Sequence, residues 1–232
     1  MQSFNIVKEI KPKNTFRVSA IISNFDLDID HLSENFKGGW ELPADWQIGL
    51  IVGGSGTGKT TIAKECFPDA YFCGYEYTDD AVIDCMNPKA TVKEIEKTFT
   101  AVGFSSPPSW LKPYAVLSNG EKMRVDLARC LLDNKDFIVF DEFTSVVNRE
   151  CAKTTSLAIQ KAVRKSNKKF VAVSCHDDVI EWLMPDWIYD TDQQRFFTQR
   201  ESTTAQNLSL KYTGLTTQLK NKFGKYLESI TI

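Results

Sequence analysis

Gln47-Ile48-Gly49-Leu50-Ile51-Val52 runs straight into Gly53-Gly54-Ser55-Gly56-Thr57-Gly58-Lys59-Thr60. The first six residues are short, mostly apolar and followed by glycines, as in a strand buried on both faces of a parallel sheet. The next eight fit G-x-x-x-x-G-K-[S/T], and a helix is expected from Lys59 to about Cys66, with Pro68 stopping its continuation. Strand, glycine-rich turn and helix, in that order, make a phosphate cradle. The glycines let backbone N–H groups turn inward, and the helix N-terminus adds the positive end of its dipole. The residues expected to hold a nucleotide here are Gly53, Gly54, Ser55, Gly56, Thr57, Gly58, Lys59, Thr60 and Thr61. Lys59 is placed to bridge the β- and γ-phosphates, and the Thr60 hydroxyl to ligate Mg2+.

Downstream, Phe137-Ile138-Val139-Phe140 is a second apolar strand, and it ends in Asp141-Glu142. Ligand sites in open α/β sheets lie at the carboxyl ends of strands. Asp141 is thereby placed to hold Mg2+ through water, and Glu142 to orient or deprotonate an attacking water. Phe170 to Ser174 is a third such strand, ending at His176. Helices are expected over Arg149 to about Lys165, over Asp178 to Met184, and across most of Ala81 to Phe104; Ala70 to Cys73 is a candidate short strand. Ser118 and Glu121 form an S-x-x-E capping box opening another helix. Phe16 to Pro43 reads as strand-like, and the tail beyond Thr191 is weakly patterned, with a candidate helix around Gln218 to Leu227.

Strands alternating with helices imply an α/β fold of the P-loop NTPase type. The expectation is a mostly parallel sheet flanked by helices, with an N-terminal antiparallel β region and a helical subdomain that the resemblance given below makes a reduced one. One domain over 1–232 is expected, with a helical insert at 74–132 and a C-terminal extension at 192–232.

Three more motifs follow the phosphate loop in order: Leu117-Ser118-Asn119-Gly120-Glu121, Asp141-Glu142-Phe143-Thr144-Ser145-Val146-Val147-Asn148 and Ser174-Cys175-His176. With the loop, they resemble the ATP-binding cassette (ABC) ATPases. LSNGE is similar to the LSGGQ signature, with Asn119 and Glu121 as replacements. Asn148 stands where the family's D-loop usually has Asp. The resemblance implies ATP and Mg2+ as cofactors, with Thr60 and Asp141 at the metal and Lys59, Glu142 and His176 as catalytic residues. It implies an ATP-dependent, head-to-tail homodimer in which Ser118, Asn119 and Gly120 cap the γ-phosphate held by the partner's loop. Phe25 is the candidate for the aromatic that the family stacks on adenine, although a core role on a strand explains it equally well.

Departures are visible too. No glutamine lies between Gln47 and Gln160, so the family's coupling glutamine is missing, and Asp79, Asp80 or Asp84 are the candidates for its work. The helical arm between loop and signature is shorter than in transporter cassettes. GFSSPPSWLKPY, LSNGEKMRVDLAR, DEFTSVVN and SCHDDVIEWLMPDW look like the ATPase half of ABC ATPases fused to GNAT-type acetyltransferases of bacteria and phages. Because the chain stops soon after Phe223 to Leu227, a stand-alone ATPase is implied and acetyl transfer is not carried over.

Composition narrows the partners. A 232-residue chain with 42% hydrophobic and 25% charged residues can build a sizeable core, and its net charge of −2 gives no global attraction for nucleic acid. No apolar run approaches the roughly 20 residues a membrane helix needs, and the N-terminus lacks a secretory apolar segment. Six cysteines without a C-x-x-C pair, beside only His31 and His176, read as reduced thiols in a cytoplasmic protein rather than a zinc site. Trp110, Trp182, Trp187 and Tyr114 read as packing residues before a partner surface. Lys161, Arg164, Lys165, Lys168 and Lys169 read as complementing a helix C-terminus before a nucleic-acid patch. The client is unknown, with nucleic acid or protein as candidates. The rival readings are an ATP-gated binding module with little turnover and a small-molecule kinase.

Overall fold

The strand that precedes the phosphate loop lies at the centre of the main sheet. The computed structural model describes residues 2–9, 12–27, 33–133 and 135–198. In chain order the elements are β1 (Gln2–Glu9), α1 (Phe16–Phe25), β2 (Ser33–Trp40), β3 (Ile48–Val52), α2 (Lys59–Cys66), α3 (Val92–Ala101) and α4 (Pro107–Trp110). They continue with α5 (Asn119–Leu132), β4 (Phe137–Phe140), α6 (Arg149–Arg164), β5 (Lys169–Ser174), α7 (Val179–Leu183), β6 (Trp187–Asp190) and β7 (Arg195–Thr198). The main sheet runs β4-β5-β3-β6-β7; its first four strands are parallel, and β7 is antiparallel to β6. β1 and β2 form a separate antiparallel pair.

Burial explains the sheet. All five residues of β3 are buried, and β4 and β5 are buried nearly throughout, which is why each reads as an apolar run; β6, also buried, is only four residues long and ends in Asp190, and the sequence reading missed it. Ile48, Leu50 and Val52 face the helices of one layer, together with Phe99, Leu127 and Ile159. Ile51 faces the other layer, where Phe4, Trp40, Ile62, Phe67, Trp187 and Tyr189 pack. That second layer holds the β1–β2 pair against the sheet: Trp40 lies 4.6 Å from Tyr189 and Phe4 5.8 Å from it, centroid to centroid. Each such side chain removed from water stabilises the fold by about 1.5–3 kcal/mol.

Four local expectations are corrected. Phe16–Phe25 is a helix rather than strand-like: Thr15 caps its first turn by accepting from Val18 N at 3.3 Å, and Asp26 closes it in a left-handed conformation. The helix within 81–104 is confined to α3. Pro88 disfavours helix before it, and the start is set by a capping box in which Thr91 and Glu94 each bond the other's backbone N–H. Ala70 to Cys73 contributes only an isolated parallel bridge, Tyr71 to Val139. The segment after Thr191 supplies β7, which the polar surroundings of Arg195–Thr198 hid. The candidate helix around Gln218 to Leu227 and His31 lie outside the described residues.

Trp187 is fully buried, Trp110 donates Nε1 to Phe104 O at 2.8 Å, and Trp182 lies under Arg149. These are packing positions. In the basic run, Arg164 binds Asp186, Lys168 donates to the Asp133 and Lys135 carbonyls, and Lys169 sits over Trp46. Burial pushes the Cys66 and Cys130 thiols up to about 12, as for small apolar side chains.

Candidate nucleotide site

Parallel pairing brings three strand ends level. Val52 is in register with Ser174, and Phe140 with Ala172. The phosphate loop, Asp141-Glu142 and Cys175-His176 therefore emerge side by side. A cavity of about 280 Å³ opens there, lined by Phe36, Ser55, Gly56, Gly58, Lys59, Thr60, Thr61, Glu142 and Cys175. Seven of these are sequence-derived site residues; Phe36 and Cys175 are additions.

The loop is closed upon itself. Lys59 is 9% exposed, and its ammonium donates to Gly54 O. Thr57 Oγ1 donates to the same carbonyl at 2.9 Å. Gly56 and Gly58 both have φ of +84°, and a methyl at Gly58 would lie 2.4 Å from a Phe36 ring carbon. Glycine at 58 thus serves the left-handed turn and the close approach of the aromatic. Phe25, by contrast, ends α1 with 68% of its surface exposed and does not line the cavity. The aromatic at the loop is Phe36, on β2. Nothing local in the sequence marks it, because it arrives through the β1–β2 pair folding across the loop.

Behind Glu142, Asp141 Oδ1 accepts from Glu142 N at 2.8 Å, and its Oδ2 accepts the Tyr71 hydroxyl. Burial first, and then this bond, raises the Tyr71 pKa. Each carboxylate oxygen keeps a further lone-pair position. Carboxylate oxygens and the Thr60 hydroxyl are hard-oxygen donors of the kind Mg2+ takes alongside phosphates and water; Thr60 lines the cavity, whereas Asp141 is not among its lining residues. Glu142 and Thr144 are left-handed, at φ of 52° and 67°, and Thr144 is fully buried with its hydroxyl unpartnered. Non-glycine residues in that region cost about 1–3 kcal/mol each, and such strain gathers at functional turns.

His176 follows Cys175 at the mouth, half-buried, its N–H donating to Ser174 Oγ at 3.1 Å, and its side chain is not part of the cavity lining. Ser118 caps α5: its Oγ accepts from Glu121 N at 3.3 Å and donates to Glu121 Oε2 at 2.8 Å. Its own N–H and hydroxyl hold the Glu121 carboxyl below the usual range. Ser118 and Asn119 are exposed, and Gly120 packs beside Cys151 and Val147. None of the three lines the cavity.

Beyond Gly74 the chain is fastened by tyrosines. Tyr77 and Tyr114 stack at 3.8 Å and donate to the two oxygens of Asp126 at 2.7 and 2.8 Å, while Arg129 covers Tyr75 and Tyr77. Asp79, Asp80 and Asp84 are exposed, and Asp80 accepts from Thr78 Oγ1.

The fold is that of solved ATP-binding cassettes. A bacterial Atm1-family ABC exporter with ATP bound superposes with TM-score 0.51 at 19% identity, over 72% of this chain and 37% of that one. The dimeric bacterial ABC transporter cassette MJ0796 gives TM-score 0.52 at 14% identity, over 68% of this chain and 87% of that one. The same cassette, dimeric in a post-hydrolysis state bound to ADP and Pi, gives 0.56 at 13% identity, over 71% and 92%. The chain thus matches little more than a third of the exporter's length. No protein-family model matches the chain, and no curated protein sequence does.

Proposed function

We propose that this protein is an ABC-type ATPase that binds MgATP at the phosphate loop, closes as a head-to-tail homodimer around two nucleotides and hydrolyses the γ-phosphate. The observation that carries the proposal is a split site. One cavity gathers Lys59, Thr60, Thr61, Glu142 and Phe36, whereas Ser118, Asn119 and Gly120 stand outside it at an exposed helix N-terminus. A helix N-terminus attracts anions, and a second copy is the source of a phosphate for it. The dimeric state of MJ0796 supports this reading by analogy.

In this reading Phe36, not Phe25, stacks on the adenine. Gly53 to Thr61 enclose the phosphates, and Lys59 leaves Gly54 O to neutralise them. Glu142 orients the attacking water and accepts its proton, and His176 steadies the γ-phosphate. Thr60 and Asp141 hold Mg2+, which when bound offsets negative charge on the phosphoryl oxygens. The single domain, with its helical insert at 74–132 and extension at 192–232, the cytoplasmic setting, and kinship to the ATPase half of the acetyltransferase fusions belong to the same proposal. Among the described residues no helix is long and apolar enough to cross a membrane.

The test compares ATP hydrolysis and oligomeric state in the wild type, Lys59→Ala and Glu142→Gln. Both variants are expected to lose at least about 100-fold in turnover, the scale of a lost general base or phosphate clamp. Glu142→Gln is expected to form a dimer with MgATP that light scattering detects. Normal turnover in Glu142→Gln would remove its assigned role. ATP binding without hydrolysis in the wild type would favour the gated-module reading.

A further inference from the structure

The turn joining β6 to β7 is pressed against the phosphate loop. Its shape is set by Asp190, whose buried carboxylate accepts from Asp192 N at 2.9 Å, Gln193 N at 3.0 Å and Gln193 Nε2 at 2.9 Å. Thr191 and Asp192 then face the loop. Thr191 is 6% exposed, and a methyl at Gly53 would lie 2.1 Å from its hydroxyl, so only glycine at 53 permits the approach.

Thr191 Oγ1 lies 2.5 Å from Thr57 Oγ1 and 3.2 Å from Val52 O, and Thr57 Oγ1 lies 2.9 Å from Gly54 O. Two hydroxyl protons cannot serve three such contacts equally. Val52 O is already satisfied by Thr191 N at 2.8 Å. The two hydroxyls thus link the turn to Gly54 O through the Thr191–Thr57 contact, in which either oxygen can donate. On the other side of the loop, Asp192 Oδ2 accepts from Gly54 N at 2.9 Å. Gly54 is thus fixed by its N–H and by its C=O, and that C=O is where the Lys59 ammonium rests.

We propose that Thr191 and Asp192 are positioning residues for the phosphate loop, holding Gly54 so that the cradle and Lys59 are set before a nucleotide arrives. Asp192 does so with a negative charge close to the phosphate site, which lowers affinity for a triphosphate. This rests on the nucleotide-binding reading above, and the experiment separates the two.

The experiment measures amide hydrogen exchange of the loop peptide without nucleotide, and binding and turnover of MgATP. The variants are Thr191→Ser, Thr191→Val, Asp192→Asn and Asp192→Ala. Thr191→Ser keeps the hydroxyl and should match the wild type. Thr191→Val should speed loop exchange and raise KM about fivefold, the worth of one hydrogen bond, with kcat at saturation within about twofold. Asp192→Ala should speed exchange too, and its exposed position makes misfolding a poor explanation for any change. Asp192→Asn keeps an acceptor, so exchange should hold while ATP affinity rises about two- to fivefold at low salt, a gain that high salt erases. Unchanged exchange in both Thr191→Val and Asp192→Ala would overturn the brace. Salt-independent, unaltered affinity in Asp192→Asn would overturn the role of its charge. A wild type that binds no ATP would sink the functional reading, while exchange still decides the brace.

Discussion

Gly58 is required by two neighbours at once: the loop's left-handed turn and the ring of Phe36. An alanine there costs about 1–2 kcal/mol in backbone energy and must also displace the ring. Gly58→Ala is therefore expected to weaken MgATP binding about tenfold or more by fluorescence titration. Adding Phe36→Ala should relieve the clash without relieving the backbone. Wild-type affinity in Gly58→Ala would mean that the loop binds nucleotide in some other shape. The phosphate loop, Asp141, Glu142 and Ser118 were legible as residues because each sits in a contiguous motif. Phe36, Tyr71 and Asp192 were not, because each acts on a residue distant in sequence.

At the scale of elements, α5 connects the signature to the core. Its capping box joins Ser118 and Glu121, and Tyr77, Tyr114 and Arg129 fasten its middle. Ser118 has two separable jobs in this account: capping its own helix and meeting the partner's phosphate. Ser118→Ala should lower stability by about 1 kcal/mol in urea unfolding. Ser118→Asp keeps an acceptor for Glu121 N, loses the hydroxyl that donates to Glu121 Oε2, and sets a negative charge against the phosphate. It is expected to stay folded, with stability no higher than the wild type, and, placed in the Glu142→Gln background, to prevent the MgATP dimer. A dimer that survives Ser118→Asp would remove the shared-site reading. The capping box at Ser118 was read from sequence, whereas the equivalent box at Thr91 and the Thr15 cap were missed. Val18, Ile21 and Ile22 are β-branched, which weakens helix propensity slightly, and the caps at Thr15 and Asp26 close the helix at both ends.

Across the whole molecule, the end of the sheet away from the site is tied by Asp186. Its carboxylate accepts from Gln47 N at 2.8 Å, Ile48 N at 2.9 Å and both Arg164 terminal nitrogens at 2.7 and 2.8 Å. Burial alone would raise its pKa; Arg164 and the two N–H groups outweigh it and hold the carboxyl below the usual range. A depressed folded-state pKa gives stability that is complete above the unfolded carboxylate value near 3.8 and lost as pH falls through the lower folded value. Asp186→Asn should cost about 1–3 kcal/mol at neutral pH by denaturant unfolding, and that difference should shrink as the solution is made more acidic than the usual carboxylate range. A pH-independent difference would count against the ionised tie. By itself, the sequence determined three of the four buried parallel strands, missing β6, together with the loop that follows the central one and the order of the motifs around Ser118, Asp141 and His176. Each depends on neighbours a few residues away, through hydrophobic runs, glycine conformations and helix caps. Tertiary structure decided the rest: which aromatic lies on the loop, what holds Asp141, and which turn fixes Gly54. Those contacts exist only once the strands take the order β4-β5-β3-β6-β7 and the β1–β2 pair folds over them. A pairing energy between residues far apart in the chain leaves no periodicity in the sequence for local reading to find.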